Sequence, residues 1–204
     1  MKVQIDKTYP LPCGAEIAWE FLQNIEAVAA CMPGAKITER IDEDRYKGTV
    51  TTKVGPATMS FRGDVQRMEI DPTARSLRLV GKGTDSTGSS GASMDLTARI
   101  EPADGGFCTL VGASEVSMSG KAAAFGGRMM SSVADQILKQ FADNFAARVS
   151  ALQASREMPT NRDGSATRSE VQIPIPPARP LNVLAFAWTL FKSWLRGLIS
   201  KRAA

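Results

Sequence analysis

The segment 121–156 repeats an apolar residue at every fourth position and contains no proline. The repeating residues are Phe125, Met129, Val133, Ile137, Phe141, Phe145 and Val149. Charged side chains such as Asp135, Lys139 and Asp143 occupy intervening positions. This pattern predicts one long amphipathic helix whose apolar face runs along its whole length. At about 1.5 Å per residue the helix would measure on the order of 50 Å, and a curved antiparallel sheet that grips it is the simplest way to bury its apolar face.

Seven segments ahead of this helix have the alternation and the bounding turn residues that are typical of strands. They cover residues 2–9, 35–41, 46–54, 57–70, 75–83, 92–100 and 107–119. Two short helices are expected between the first two strands, one from about Gly14 and one over 26–31. In the fourth strand the apolar parity shifts after Val65, which predicts a bulge near Gln66. The order of elements predicts an α+β domain over 1–156, with a bent antiparallel sheet around a long C-terminal helix.

The chain contains no histidine and three widely spaced cysteines, Cys13, Cys31 and Cys108. Without histidine, neither a Ser-His-Asp nor a Cys-His nucleophile can form, and the usual general base near neutral pH is missing. The cysteines lack the paired spacing of a metal site, so no metal centre is predicted. The N-terminus lacks the long apolar run of a secretory signal. We therefore expect reduced thiols in a cytoplasmic protein.

Charge is distributed unevenly along the chain. Residues 1–156 contain 18 basic and 18 acidic residues, whereas residues 157–204 contain seven basic and three acidic residues and so account for the whole net charge of +4. A basic C-terminal region on a neutral domain predicts an anionic partner for that region, and nothing in the domain indicates nucleic-acid binding.

A bent sheet around one helix can enclose apolar space. The candidate residues of a ligand cavity are Met59, Phe61, Met94, Phe125, Met129, Met130, Val133 and Ile137. Methionine is flexible and adapts to irregular ligands, which favours a hydrophobic pocket. The alternative is that the same side chains form a filled core.

The chain also carries a set of short motifs that resemble a known family. These motifs are CMPGA at 31–35, YKGTV at 46–50, KVGP at 53–56, FRG at 61–63, GKG at 81–83, EV at 115–116, SGK at 119–121 and FGGR at 125–128. Together they resemble the CoxG family of carbon monoxide dehydrogenase subunits, in the START-like (SRPBCC) superfamily, over about residues 1–150.

The resemblance implies a helix-grip fold with an internal hydrophobic cavity. It also implies a non-enzymatic accessory protein of molybdenum hydroxylases of the CO dehydrogenase and xanthine dehydrogenase type, associated with membrane recruitment and with quinone-like lipophilic molecules. The family offers no catalytic residue to carry over. Within this fold Gly126 and Gly127 would lie in the first turns of the long helix, each weakening it by about 1 kcal/mol relative to alanine. The two glycines could permit opening at a cavity mouth, or they could allow close packing of the helix.

Residues 157–180 contain five prolines and no apolar period, which predicts a flexible linker. Residues 181–204 then form a predicted amphipathic helix with a narrow polar strip and a wide apolar face. The predicted membrane-binding residues are Phe186, Trp188, Phe191, Lys192, Trp194, Arg196, Lys201 and Arg202. Tryptophans beside a basic strip are typical of a helix that lies in the interface of an anionic membrane. Docking into a groove on a partner protein or on this protein's own domain remains an alternative, as does spanning of the membrane, although basic residues at mid-segment disfavour spanning.

The leading hypothesis is a hydrophobic-ligand-binding accessory protein, held peripherally at the inner face of the cytoplasmic membrane, with no covalent cofactor. One alternative is a membrane adaptor with a packed interior and no ligand. Another is an enzyme of the polyketide-cyclase kind on the same fold. That enzyme would need a cavity-facing acid such as Glu115 or Asp64.

Overall fold

The computed structural model describes residues 1–55 and 57–157. The seven strands are β1 (Lys2–Leu11), β2 (Ala35–Arg40), β3 (Arg45–Val54), β4 (Ala57–Asp71), β5 (Ser76–Asp85), β6 (Ser90–Pro102) and β7 (Cys108–Gly120). The three α-helices are α1 (Ala15–Gln23), α2 (Ile25–Ala29) and α3 (Gly127–Glu157). Two short 3-10 segments cover Asp104–Gly106 and Lys121–Phe125. The predicted linker and tail helix lie outside the described residues.

The seven strands form one antiparallel sheet in the order β1-β7-β6-β5-β4-β3-β2. Strands β2 to β7 are joined by short connectors, and strand neighbours in sequence are therefore neighbours in the sheet. The register of β4 against β5 shifts between Arg67 and Glu69, which places the bulge next to its predicted position. The prediction of an antiparallel sheet around a long C-terminal helix is confirmed.

The packed core lies where α1 and the second half of α3 meet the sheet. The amphipathic helix α1 buries Ala18, Trp19, Phe21 and Leu22. Phe145 of α3 is 0% exposed, and its ring meets the ring of Phe21 edge to face with the centroids 4.9 Å apart. Edge-to-face aromatic pairs add to the free energy gained from burial. The closely packed part of the core therefore lies at this end of the domain.

The long helix begins later than predicted, and this part of the prediction is wrong. Lys121–Phe125 forms a 3-10 segment, and Gly126 separates it from α3 with φ of +78° and ψ of 156°. That backbone region is open only to glycine, because any Cβ would clash with the adjacent peptide. Gly126 is therefore a break between two helical segments, and Phe125 does not belong to the α-helical stripe.

The apolar residues of α3 do not share one face over its whole length, and here too the structure differs from the prediction. Four residues turn an α-helix by about 400°, so a strict four-residue repeat drifts by about 40° at each step. Val149 and Phe145 are buried, whereas Met129, which lies five four-residue steps before Val149, is 40% exposed. Met130 takes the buried position at the start of the helix, with 8% exposure.

Polar contacts hold α3 at both of its ends. Near its start, the Asp135 carboxylate lies 2.9 Å from Nζ of Lys7 on β1. Further along, Asn144 donates to the Cys31 carbonyl at 2.9 Å, and Gln153 accepts from the Gly14 amide at 3.1 Å. Among the strands, α3 contacts mainly β1, at one edge of the sheet, and β3, beside the other edge, so the helix crosses the sheet. The central strands β4 to β6 lie beneath the helix.

Candidate ligand-binding site

The inner face of the sheet is the face turned toward α1 and α3. Register and alternation place Leu79, Leu96 and Ser114 on this face, and their neighbours two residues along each strand share it. The face has two halves that differ in burial. Beneath α1, the residues Leu77, Leu79, Ala98, Ile100 and Leu110 are buried. Beneath the first half of α3, the residues Met59, Phe61, Met94, Val116 and Met118 keep partial exposure although they point inward.

A strip of glycines runs across the second half. Gly48 of β3, Gly63 of β4 and Gly83 of β5 pair in one row, and Gly81 lies on the same face. Glycines present no side chain, so this strip of the inner face is bare backbone. The Cε methyl of Met94 lies 3.6 Å from the point where a Cβ on Gly81 would stand. Met94 therefore covers part of a surface that is otherwise backbone.

The helix side of this region is defined by two contacts of α3. Asp135 faces β1 through its ion pair with Lys7, and the Cε methyl of Met129 lies 3.6 Å from the Cβ position of Gly55 in the β3–β4 turn. Successive residues of an α-helix are about 100° apart around its axis. The face of α3 that lies between Asp135 and Met129 and is turned toward the sheet therefore carries Met130 and Ile137. Met130 is buried and Ile137 is partly exposed, which agrees with that orientation.

The predicted cavity residues are therefore distributed as follows. Met59, Phe61 and Met94 line the sheet side, and Met130 and Ile137 line the helix side. Val133 lies on the flank of α3 toward β3 and is partly exposed. Met129 lies at the rim beside the β3–β4 turn, and the partly exposed Phe125 lies in the 3-10 segment before it.

Sequence reasoning missed Val116 and Met118, which lie on the inner face beside Met94 and Ala92. The alternation Ser114, Val116 and Met118 in β7 was a signal that could have identified them. Ser114 is also notable because its Oγ is buried and has no hydrogen-bond partner among the described residues. A hydroxyl in this position can donate to a carbonyl or an ether oxygen of a bound molecule.

Close packing of α3 does not explain Gly126 and Gly127, the two glycines predicted at the cavity mouth. No described atom lies within 4 Å of a Cβ built on Gly126 or on Gly127. Gly126 is required by its positive φ, whereas Gly127 has no such requirement. Of the two readings of this pair, packing of the helix against a neighbour is not supported.

The three thiols are buried and poorly suited to chemistry. Cys13 Sγ lies 3.9 Å from Cys108 Sγ, and all three cysteines are free. Burial raises the pKa of Cys13 and of Cys31, and raises the pKa of Cys108 to about 12. The thiolate is the nucleophilic form, so thiols with raised pKa values stay protonated and unreactive near neutral pH.

The two acids proposed for a cyclase-like reaction lie on the outer face of the sheet. Glu115 accepts hydrogen bonds from Lys2 at 2.8 Å and from Gln4 at 3.0 Å. Asp64 is exposed and pairs in register with Lys47 and Lys82. Because the inner face carries the opposite parity, neither carboxylate reaches the space beneath α3. The structure thus places neither acid where that mechanism needs it.

Other features of the described residues offer no competing site of similar character. No cluster of three metal-ligating side chains occurs among them. Two open grooves of about 470 and 430 Å³ share Glu26 and Arg40 near α2 and the β2 edge. Charged side chains such as Glu26 and Arg40 lie in both linings, and neither lining includes any of the predicted cavity residues. Among the described helices, none has the length and apolar character needed to cross a bilayer.

Comparisons with solved structures show the same fold elsewhere. A conserved protein from Geobacillus kaustophilus has a TM-score of 0.66 at 20% identity, over 73% of this chain and 96% of that one. The Zhui aromatase/cyclase from Streptomyces sp. R1128 has a TM-score of 0.55 at 15% identity, over 76% and 98%. A START superfamily protein from Mycobacterium smegmatis has a TM-score of 0.53 at 17% identity, over 73% and 98%. At these identities the likeness concerns the fold alone.

No curated protein is similar enough to match the chain. Residues 13–150 match the CoxG family of carbon monoxide dehydrogenase subunits, and this stretch includes six of the seven strands and most of α3. The match and the START-like neighbours agree with the motifs, the antiparallel sheet and the long helix described above. The chain belongs to the CoxG family of carbon monoxide dehydrogenase subunits.

Proposed function

We propose that this protein is a non-enzymatic accessory protein that binds a hydrophobic, quinone-like molecule between α3 and the inner face of the sheet. It serves a molybdenum hydroxylase of the CO dehydrogenase or xanthine dehydrogenase type and couples that enzyme to the cytoplasmic face of the membrane. The family supports the accessory role, since CoxG is named as one of the subunits of carbon monoxide dehydrogenase.

One observation carries the ligand proposal. On a single sheet face, the residues beneath α1 are at most 9% exposed, while the inward-pointing Met59, Phe61 and Met94 beneath α3 remain partly accessible. A filled core would bury both halves alike, because protein interiors are close-packed. Apolar walls with a few polar groups are the usual lining of a small-molecule site. Ser114 provides one such polar group.

Filling this space is the direct test of ligand binding. We expect lipid extraction and mass spectrometry of the purified full chain to recover a lipophilic molecule, and Val133→Trp to reduce its recovery at least tenfold. The indole would occupy the space beside β3 that a ligand needs. Leu152→Trp is the matched control, because it adds the same side chain to α3 at a position that is already 40% exposed.

Recovery of no lipophile from the wild-type chain would reject the ligand and favour the membrane adaptor with a packed interior. Undiminished recovery from Val133→Trp would show that the molecule binds elsewhere. Binding of the purified hydroxylase, measured on the same three proteins, reports the accessory role separately from the ligand.

The coupling to the membrane is assigned to residues 181–204, whose basic strip and tryptophans support it. Neutralising Lys192 and Arg196 to glutamine is expected to lower affinity for anionic vesicles roughly 30-fold, since each basic residue near such a surface contributes about 1 kcal/mol. Co-sedimentation of the full chain measures this. The control is Lys47→Gln with Lys82→Gln, which removes the same charge from the outer face of the sheet. Equal losses in the two double variants would refute a specific role of the tail.

A further inference from the structure

The two ends of the described domain differ in charge. Strands β3, β5 and β7 run in the same direction. Where they end, and in the segment 30–34, the only carboxylate among the described residues is that of Asp85, the last residue of β5, which accepts hydrogen bonds from the Thr87 and Ser89 hydroxyls and the Ser90 amide. We call this the basic end. The connectors at the other end, residues 12–14, 41–44, 72–75 and 103–107, contain four carboxylates. The described domain is thus nearly neutral as a whole but polarised along its strands.

Three cations lie at the basic end without a carboxylate partner. Lys53 is next to the last residue of β3, Lys121 follows β7, and Arg128 is in the first turn of α3. Among the described residues, none of the three has a carboxylate oxygen within 4 Å. By contrast, Arg45 and Arg75 beside the connectors of the other end are paired with Asp42 and Glu16. Because Asp85 is the one carboxylate beside these three cations at the strand ends, this end of the described domain carries a positive surface potential.

An exposed apolar side chain stands among these cations at the rim of the inner-face space. Met129 follows Arg128 and is 40% exposed, and its Cε lies 3.6 Å from the position a Cβ on Gly55 would take, two residues beyond Lys53. Val50, on the inner face of β3, is also 40% exposed. Exposed apolar side chains on the same end of a domain as basic ones are the composition that enters the headgroup region of an anionic bilayer.

We propose that the basic end docks on an anionic lipid surface, with Lys53, Lys121 and Arg128 against the headgroup phosphates and Met129 at the boundary with the acyl chains. The inference rests on the proposed function, because a rim held against the bilayer lets a lipophilic molecule pass between membrane and protein without crossing water. The carboxylates of the opposite end point away from the membrane in this orientation. The same field turns the domain toward the surface before contact.

A fluorophore at the rim tests this orientation in the full chain. Met129→Cys introduces a thiol at the basic end, at a position that is 40% exposed. Met68→Cys introduces a thiol far from the basic end, at a position that is 51% exposed. The native thiols are at most 1% exposed, so an environment-sensitive maleimide dye labels the introduced cysteine. On phosphatidylglycerol vesicles we expect a blue shift at position 129 and quenching by brominated acyl chains, and neither at position 68.

Two further comparisons complete the test. Changing Lys53, Lys121 and Arg128 to glutamine in the Met129→Cys background should reduce the quenching several-fold, and added salt should do the same. The proposal is overturned if the protein binds the vesicles while the dye at position 129 stays in water. It is also overturned if the dye inserts into the bilayer equally at positions 129 and 68. Shielding of position 129 by the purified hydroxylase, and not by lipid, would identify a protein interface instead.

The ligand is measured separately in the same preparations by extraction and mass spectrometry. A recovered lipophile with the dye at position 129 in water leaves the proposed function standing and rejects the docking surface. Insertion of the dye without any recovered lipophile rejects the ligand and leaves the docking surface standing.

Discussion

Phe145→Ala is expected to lower the free energy of unfolding by about 3–5 kcal/mol, which is the usual cost of truncating a buried aromatic side chain. The phenyl ring is fully buried, meets Phe21 edge to face, and lies 5.8 Å from the ring of Phe141. Removing it leaves a cavity between α1, α3 and the sheet. Urea unfolding of the full chain, followed by circular dichroism, measures the loss.

The matched control is Phe107→Ala, which removes the same atoms from a side chain that is 53% exposed. Surface substitutions of this kind usually change stability by no more than about 0.5 kcal/mol. If the two variants unfold at the same urea concentration, the packed end of the domain does not depend on the contact between α1 and α3.

Gly63→Ala is expected to destabilise the domain by about 3 kcal/mol or more, as severe overpacking does. A Cβ at this position would lie 1.9 Å from the Lys82 carbonyl oxygen and 2.6 Å from the Gly83 Cα. Both atoms belong to the backbone of β5, so β4 and β5 would have to separate and lose hydrogen bonds between them. The midpoint of urea unfolding is the measurement.

Two other glycine variants show whether backbone geometry controls the result. Gly127→Ala meets no described atom within 4 Å and begins a helix, so it should raise stability by about 0.5–1 kcal/mol. Gly126→Ala, with φ of +78°, should lower stability by about 1–3 kcal/mol. If Gly63→Ala unfolds at the same urea concentration as the wild type, the backbones of β4 and β5 are not in close contact at Gly63.

Local sequence patterns were sufficient to predict the strands and their order in the sheet, because short connectors join β2 to β7. Alternation located all seven strands to within about two residues, and turn residues such as Gly55 and Pro56 separated them. When each strand pairs with the next one along the chain, the order of the sheet follows largely from the order of the sequence. The parity shift after Val65 even indicated the bulge.

The helix shows where local patterns fail. A four-residue repeat looks like one face over two or three turns, but its drift becomes large over the length of α3, and Met129 ends at the rim while Met130 turns inward. The FGGR motif gave no sign that Gly126 would stop one helical segment and start another. The break lies in the connection from β7 to α3. In this connection the Ser90 hydroxyl accepts a hydrogen bond from the Ala122 amide at 3.0 Å.

The sequence by itself therefore determined the family, the antiparallel sheet and most of the side chains on its inner face, because these follow from motifs and from the two-residue period of strands. Only the tertiary structure decided which half of that face is packed and which half stays accessible. It also decided that Glu115 and Asp64 point outward and that Lys53, Lys121 and Arg128 lie at the same end of the domain. These properties depend on contacts between residues far apart in the chain, such as Phe21 with Phe145 and Lys7 with Asp135, and no local pattern encodes them.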